Sequence, residues 1–157
     1  MGARFVLIAA VVLAAASCAR VDSPPARVDV SLPGAGQGPA IVNIWATWCA
    51  PCRREMQSLE RLHRRLEGSG IRVVGISVDA DRNLAREFVR SERLTFPIAF
   101  DPDSPLARGA TKFPTTYVLS AEGIVVAKVE SARDWSTEES IAWIGSALKR
   151  ALPAGRE

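Results

Sequence analysis

The chain is poor in the residues that hold metals. It has one histidine, His63, and three cysteines in 157 residues. A structural zinc site wants four ligands, usually as two pairs. Cys49 and Cys52 make one pair, and only Cys18 and His63 remain to make another. A second ligand pair is thus not evident, and the sequence implies no resident metal or organic cofactor. No apolar run reaches the roughly 20 residues of a membrane-spanning helix. The net charge of +3 is too mild to argue for nucleic acid, and no nucleic-acid motif appears. There is no internal repeat. Hydrophobic residues make up 48% and charged residues 24%, which places the bulk of the chain among globular proteins of one domain.

What is present is concentrated at Cys49-Ala50-Pro51-Cys52. The segment before it, Ile41-Val42-Asn43-Ile44-Trp45, reads as a buried strand. The segment after it, residues 53–66, is amphipathic at helical spacing. The two cysteines thus stand at a strand-to-helix junction. Pro51 suits a first helical turn, where its missing N–H costs nothing. Cys49 then lies at the helix N-terminus, where unpaired N–H groups and the helix dipole favour a thiolate. The thiolate is the form that attacks disulfides. Cys52, one turn on, is placed to resolve the mixed disulfide. A structural disulfide and half of a zinc site are the alternatives to redox chemistry.

The coarse order along the chain alternates strand and helix. Strands are expected at residues 41–46, 71–78 and 96–100, and a hairpin at 115–119 and 124–129 turns at Ala121-Glu122-Gly123. Helices are expected at residues 50–66, at 81–91 with Asp81 as N-cap, as one turn at 104–109, and from a Ser136–Glu139 capping box towards Leu152. Strands separated by helices point to a parallel pair, and the closing hairpin adds an antiparallel one. The fold class is α/β, with a mixed sheet flanked by helices.

Helical phase picks out one acid. At about 100° per residue, Cys52, Met56, Leu59, Leu62 and Leu66 share an arc, and Glu55 falls inside it. Arg53, Arg54, Arg61, Arg64 and Arg65 fall outside, as a solvated face. Glu55 is three residues from Cys52, close enough to be its neighbour. A carboxyl in a partly apolar setting has a raised pKa and exchanges protons near neutrality. The plainer alternative is an exposed glutamate at the edge of the arc. His63 lies about 16 Å along the helix from Cys52, too far for proton transfer, and reads as a core-edge residue.

Residues 1–18 read as a signal peptide. Arg4 gives a weakly basic start, and residues 5–16 are apolar throughout. Ala15-Ala16-Ser17-Cys18 resembles a lipoprotein signal in which Cys18 becomes the lipid-bearing first residue. Ala14-Ala15-Ala16 also fits ordinary cleavage. Residues 19–39, rich in Pro, Gly, Ser and Ala, form a tether with one short strand expected at 28–32. The folded domain is expected over residues 40–152, leaving 153–157 as a tail.

The segment Asn43-Ile44-Trp45-Ala46-Thr47-Trp48-Cys49-Ala50-Pro51-Cys52-Arg53-Arg54-Glu55 resembles the active-site segment of TlpA/ResA-type thiol–disulfide oxidoreductases. Phe113-Pro114-Thr115-Thr116-Tyr117, Glu122-Gly123 and Ala132-Arg133-Asp134-Trp135 extend the likeness over residues 40–148. The resemblance implies a thioredoxin-like fold, held on the outer face of a bacterial membrane. It implies catalysis by Cys49 and Cys52, with Glu55 at a position associated with thiol proton transfer. Thioredoxin itself carries an aspartate where this chain has Asn43, which cannot titrate, so that role falls to Glu55. The family sets a cis proline opposite the dithiol, here Pro114. Phe113, bulkier than the common residue, would offer backbone hydrogen bonds to an extended substrate. Trp48 would flank the dithiol and touch substrate, while Trp45, Trp135 and Trp143 pack.

The function these readings imply is a protein-disulfide reductase in the periplasm or on the outer face of a bacterial membrane, anchored through Cys18. Its partners would be disulfide-containing exported proteins, apocytochrome c among them by family analogy, and a membrane thiol donor of electrons. The competing readings are an oxidant or isomerase of exported proteins, a Cu(I) metallochaperone using Cys49 and Cys52, and a non-catalytic scaffold. The second of these is weakened by the lack of a histidine near Pro114.

Overall fold

A computed structural model describes residue 32 and residues 38–151 of the chain. The signal peptide, Cys18, nearly all of the tether with its strand at 28–32, and the tail lie outside the described residues.

Among the described residues nine elements follow in order: β1 (Ala40–Trp45), α1 (Ala50–Arg65), β2 (Arg72–Ser77), α2 (Arg82–Ser91), β3 (Ile98–Phe100), α3 (Pro105–Arg108), β4 (Thr115–Leu119), β5 (Val125–Val129) and α4 (Glu138–Ala151). The five strands form one sheet in the order β3-β2-β1-β4-β5. β1 runs parallel to β2, and β2 parallel to β3. β4 is antiparallel to both β1 and β5. This is the mixed sheet expected from the alternation of signals.

β1 is central, and all six of its residues are buried. Its alternation divides the core. Ile41 and Trp45 pack with Met56, Leu59 and Leu62 of α1, Ala85 of α2 and Ile144 of α4. Val42 and Ile44 pack on the other face with Leu106 and Ala107 of α3 and with Tyr117 and Leu119. Successive strand residues point to opposite faces, so Asn43 points to the α1 side. The two crossovers β1–α1–β2 and β2–α2–β3 step the same way across the sheet, which sets both helices on one face. Gly75 leaves room on β2 for the side chains of Ile98 and Trp45. A Cβ there would meet Ile98 Cδ1 at 2.5 Å and Trp45 Nε1 at 3.1 Å.

Local signals explain the helix ends. Pro51 stands in the first turn of α1, and His63, Arg64 and Arg65 occupy its last turn, where the dipole favours cations. Asp81 caps α2 by accepting from Asn83 N at 2.8 Å. The capping box differs from expectation by one residue. Thr137 caps α4, its Oγ1 accepting from Ser140 N at 3.2 Å. Ser136 instead donates its N–H and its hydroxyl to Asp134 Oδ1. An Asx turn that begins at Asp134 has taken up Ser136 before the helix starts. The hairpin turns at Gly123, whose φ of 75° suits glycine, and β5 begins at Val125 rather than at residue 124.

Candidate active site

Cys49 is the N-cap of α1, and its Sγ accepts from Cys52 N at 3.2 Å. The two cysteines form a disulfide. Exposure separates them: Cys49 retains 6% of its surface and Cys52 none. An incoming group therefore meets Cys49 first.

The loop that leads into α1 is fixed from below. Asp79 follows β2 and is buried. Both its oxygens accept from Thr47 N, at 3.1 and 3.0 Å, and Oδ1 accepts from Thr47 Oγ1 at 2.6 Å. Ser77 Oγ donates to Oδ2 at 2.9 Å. Residues 46–48 are thereby tied to the C-terminal end of the neighbouring parallel strand. Sequence reasoning passed over Asp79. The signal for it was a short acid just past a buried Val/Ile strand, at the end of a parallel sheet where sites gather.

Trp48 stands out from this loop, 64% exposed, and packs edge-on against Phe113 with ring centroids 5.5 Å apart. The Phe113–Pro114 peptide is cis, and Pro114 is buried at the start of β4. Phe113 also packs against the core cluster that contains Cys49 and Cys52. The fold thus brings residues 48–49 and 113 together, although more than 60 residues separate them in the chain.

Glu55 lies on the buried face of α1 and keeps 3% of its surface. Its Oε1 accepts from Asn43 Nδ2 at 2.7 Å. Its Oε2 accepts from Trp135 Nε1 at 3.0 Å and from Arg133 N at 3.1 Å. Ser58, one turn on, docks the same loop: its Oγ accepts from Trp135 N at 3.0 Å. Burial pushes the Glu55 carboxyl up from 4.5 to about 7, against the three hydrogen bonds, which pull it down. A group with that pKa is half-charged near neutrality, which suits proton exchange. An open cleft of about 220 Å³, lined by Arg54, Glu55, Ser58, Arg61, Arg133 and Asp134 among others, reaches it from solvent.

Other charged residues of α1 play different parts. Arg53, Arg54, Arg61, Arg64 and Arg65 are exposed, as expected. Glu60 is buried outside the expected arc because Thr95 folds over it, donating its N–H at 2.7 Å and its hydroxyl at 2.6 Å. Burial alone would raise the Glu60 carboxyl, but Thr95 and Arg64 outweigh it and hold it below its ordinary value. His63 packs beside Phe96 at the core's edge. Trp45 and Trp135 are fully buried, and Trp143 packs against Trp135. Among the described residues, no three His, Cys, Asp or Glu side chains stand together as a metal site, and no helix is long and apolar enough to cross a membrane.

Comparison with known proteins agrees with this geometry. A family model described as the AhpC/TSA family matches residues 23–128. The thiol-disulfide oxidoreductase ResA of Bacillus subtilis is 29% identical over 108 residues, covering 67% of this chain and 59% of that protein. The thioredoxin-like protein YneN of the same organism is 35% identical over 89 residues, 54% of this chain and 52% of that one. The chain thus spans little more than half the length of these curated relatives. Among solved structures, a secreted thiol-disulfide isomerase from Corynebacterium glutamicum matches with a TM-score of 0.59 and 31% identity, over 71% of this chain and 69% of that chain. The sheet and its flanking helices are thioredoxin-like.

Proposed function

Because the chain belongs to the AhpC/TSA family, we propose that it is a thiol–disulfide oxidoreductase that reduces disulfides of exported proteins. The observation that carries this reading is the Cys49–Cys52 disulfide at the start of α1, with Glu55 on the buried face one turn on. In the reduced protein the Cys49 thiolate attacks one sulfur of a substrate disulfide. That S–S bond breaks, a Cys49–substrate bond forms, and the other substrate sulfur leaves as a thiolate and takes a proton. Cys52 then gives up its proton, with Glu55 as the acceptor, and attacks Cys49 Sγ. The second substrate sulfur leaves, and the Cys49–Cys52 disulfide closes. Two electrons have passed to the substrate. A membrane thiol donor restores the dithiol by the same exchange in reverse.

Trp48 and Phe113 form the apolar wall beside Cys49, and the main chain at Phe113-Pro114 receives an extended substrate segment. Apocytochrome c is one candidate substrate. Export and a lipid anchor at Cys18 complete the proposal, and a Cys18→Ser chain that still partitions with membranes would remove the anchor from it.

Redox titration of the pair against a thiol buffer tests the direction of transfer. A reductase is expected near thioredoxin's value of about −270 mV. A value near −120 mV, that of a strong thiol oxidant, would turn the reading into one of disulfide formation.

A further inference from the structure

The two oxygens of Glu55 are held by different kinds of partner. Oε2 meets the Arg133 main-chain N–H and the Trp135 indole N–H. Both only donate, so a proton on Oε2 would face two donors. Oε1 has one hydrogen-bond partner among the described residues, the Asn43 amide at 2.7 Å. An amide has a donating end and an accepting end. Asn43 is wholly buried, and its Oδ1 has no hydrogen-bond partner. Its Nδ2 donates to Glu55 Oε1 and, at 2.9 Å, to Thr116 Oγ1 on β4. The register fixes this pairing, since Asn43 stands opposite Thr116 in the antiparallel ladder.

Both of those partners can reverse. A hydroxyl accepts from an N–H or donates to a C=O, and a carboxyl oxygen accepts when ionised and donates when it carries a proton. Turned by half a circle, the Asn43 amide would present Oδ1 to both, accepting from Glu55 Oε1–H and from Thr116 Oγ1–H at the same heavy-atom separations. We propose that Asn43, seated by Thr116, is a positioning residue that assigns the exchangeable proton to Oε1 of Glu55 and reverses its amide as that proton arrives or leaves. The central strand then senses the charge on the carboxyl beside the dithiol. The inference rests on Glu55 as the proton-exchanging group of the proposed function.

The charged groups facing Glu55 are few. Arg54 and Arg61 reach the cleft from α1, and Arg133 and Asp134 reach it from the loop before α4, Asp134 being paired with Arg61. Cys52 is closed into the disulfide. β1 and β4 contribute Asn43 and Thr116, neither of which titrates. His63 belongs to the far end of the helix, against Phe96.

The test follows the Asn43 side-chain amide and the Glu55 carboxyl by NMR in the full chain, disulfide form, from pH 5 to 9. The two sets of signals are expected to titrate with one midpoint. The Asn43 step should vanish in Glu55→Gln and persist in His63→Gln. Asn43→Leu removes a partner that bonds Oε1 in both charge states, so the Glu55 midpoint should move by less than about one unit. Asn43 signals that stay flat through the Glu55 titration would overturn the proposal, and this reading needs no variant. A rise of about two units in a folded Asn43→Leu chain would overturn it as well, since that is the loss of a fixed donor serving the carboxylate alone. No substrate is involved. Flat Asn43 signals in a protein that still exchanges disulfides would sink this inference alone, and a coupled titration in a protein without exchange activity would sink only the proposed function.

Discussion

Asp79 receives the main-chain N–H and the hydroxyl of Thr47, the latter at 2.6 Å, and so ties the loop before the dithiol to the end of β2. Removing the carboxylate leaves the Thr47 N–H and the Ser77 hydroxyl short of an acceptor in a buried place. Hydrogen bonds to charged groups are worth about 1.5–3 kcal/mol each, less than additively within one cluster. Asp79→Ala is expected to lower unfolding stability by about 2–4 kcal/mol, measured in urea, and to slow disulfide exchange at temperatures where the protein stays folded. Asp79→Asn, which keeps one acceptor, should fall between.

Glu55 makes the protein less stable as the solution becomes basic. Its folded pKa of about 7 lies above its ordinary 4.5, so the folded state holds the proton more tightly. The contribution is full below about pH 4.5 and is lost as pH rises through 7, a swing of about 3 kcal/mol. Glu55→Gln resembles the protonated acid at every pH. Its unfolding free energy should match the parent near pH 4.5 and exceed it at pH 8. Parallel curves for the two proteins across that window would show that Glu55 is not raised. The same substitution should flatten the pH profile of disulfide exchange between pH 6 and 8.

Trp48 is expected to act on binding rather than on chemistry. It is exposed and rests edge-on against Phe113, so its loss removes contact area without opening the core. Trp48→Ala should raise KM for a protein disulfide several-fold while leaving exchange with a small disulfide nearly unchanged. Equal losses on both substrates would point to a role in placing Cys49 instead.

How far the sequence carried these conclusions depended on distance along the chain. The arc of α1 was legible because Cys52, Glu55, Met56, Leu59 and Leu62 follow one helical period, and all five are buried. Leu66 is only half-buried because the helix ends at Arg65. Glu60 broke the pattern because Thr95, 35 residues away, supplies the hydrogen bonds that make its burial tolerable. The partners of Glu55 were legible only in part. The resemblance singles out Asn43, because thioredoxin carries an aspartate there, but Trp135, expected to pack, also donates to Glu55 across 80 residues. Periodicity does not reveal such a bond. Thr116 and Asp79 were missed for the same reason, since each matters through a partner on another strand or loop.

The central claim is that Cys49 forms a covalent bond to substrate and Cys52 breaks it. The most direct test reacts the reduced Cys52→Ser chain with a disulfide-bearing protein and maps the trapped product by mass spectrometry. The account predicts a stable mixed disulfide through Cys49, absent from Cys49→Ser and fleeting in the parent. No covalent product with Cys52→Ser, or one that forms through Cys52 in Cys49→Ser at the faster rate, would contradict it.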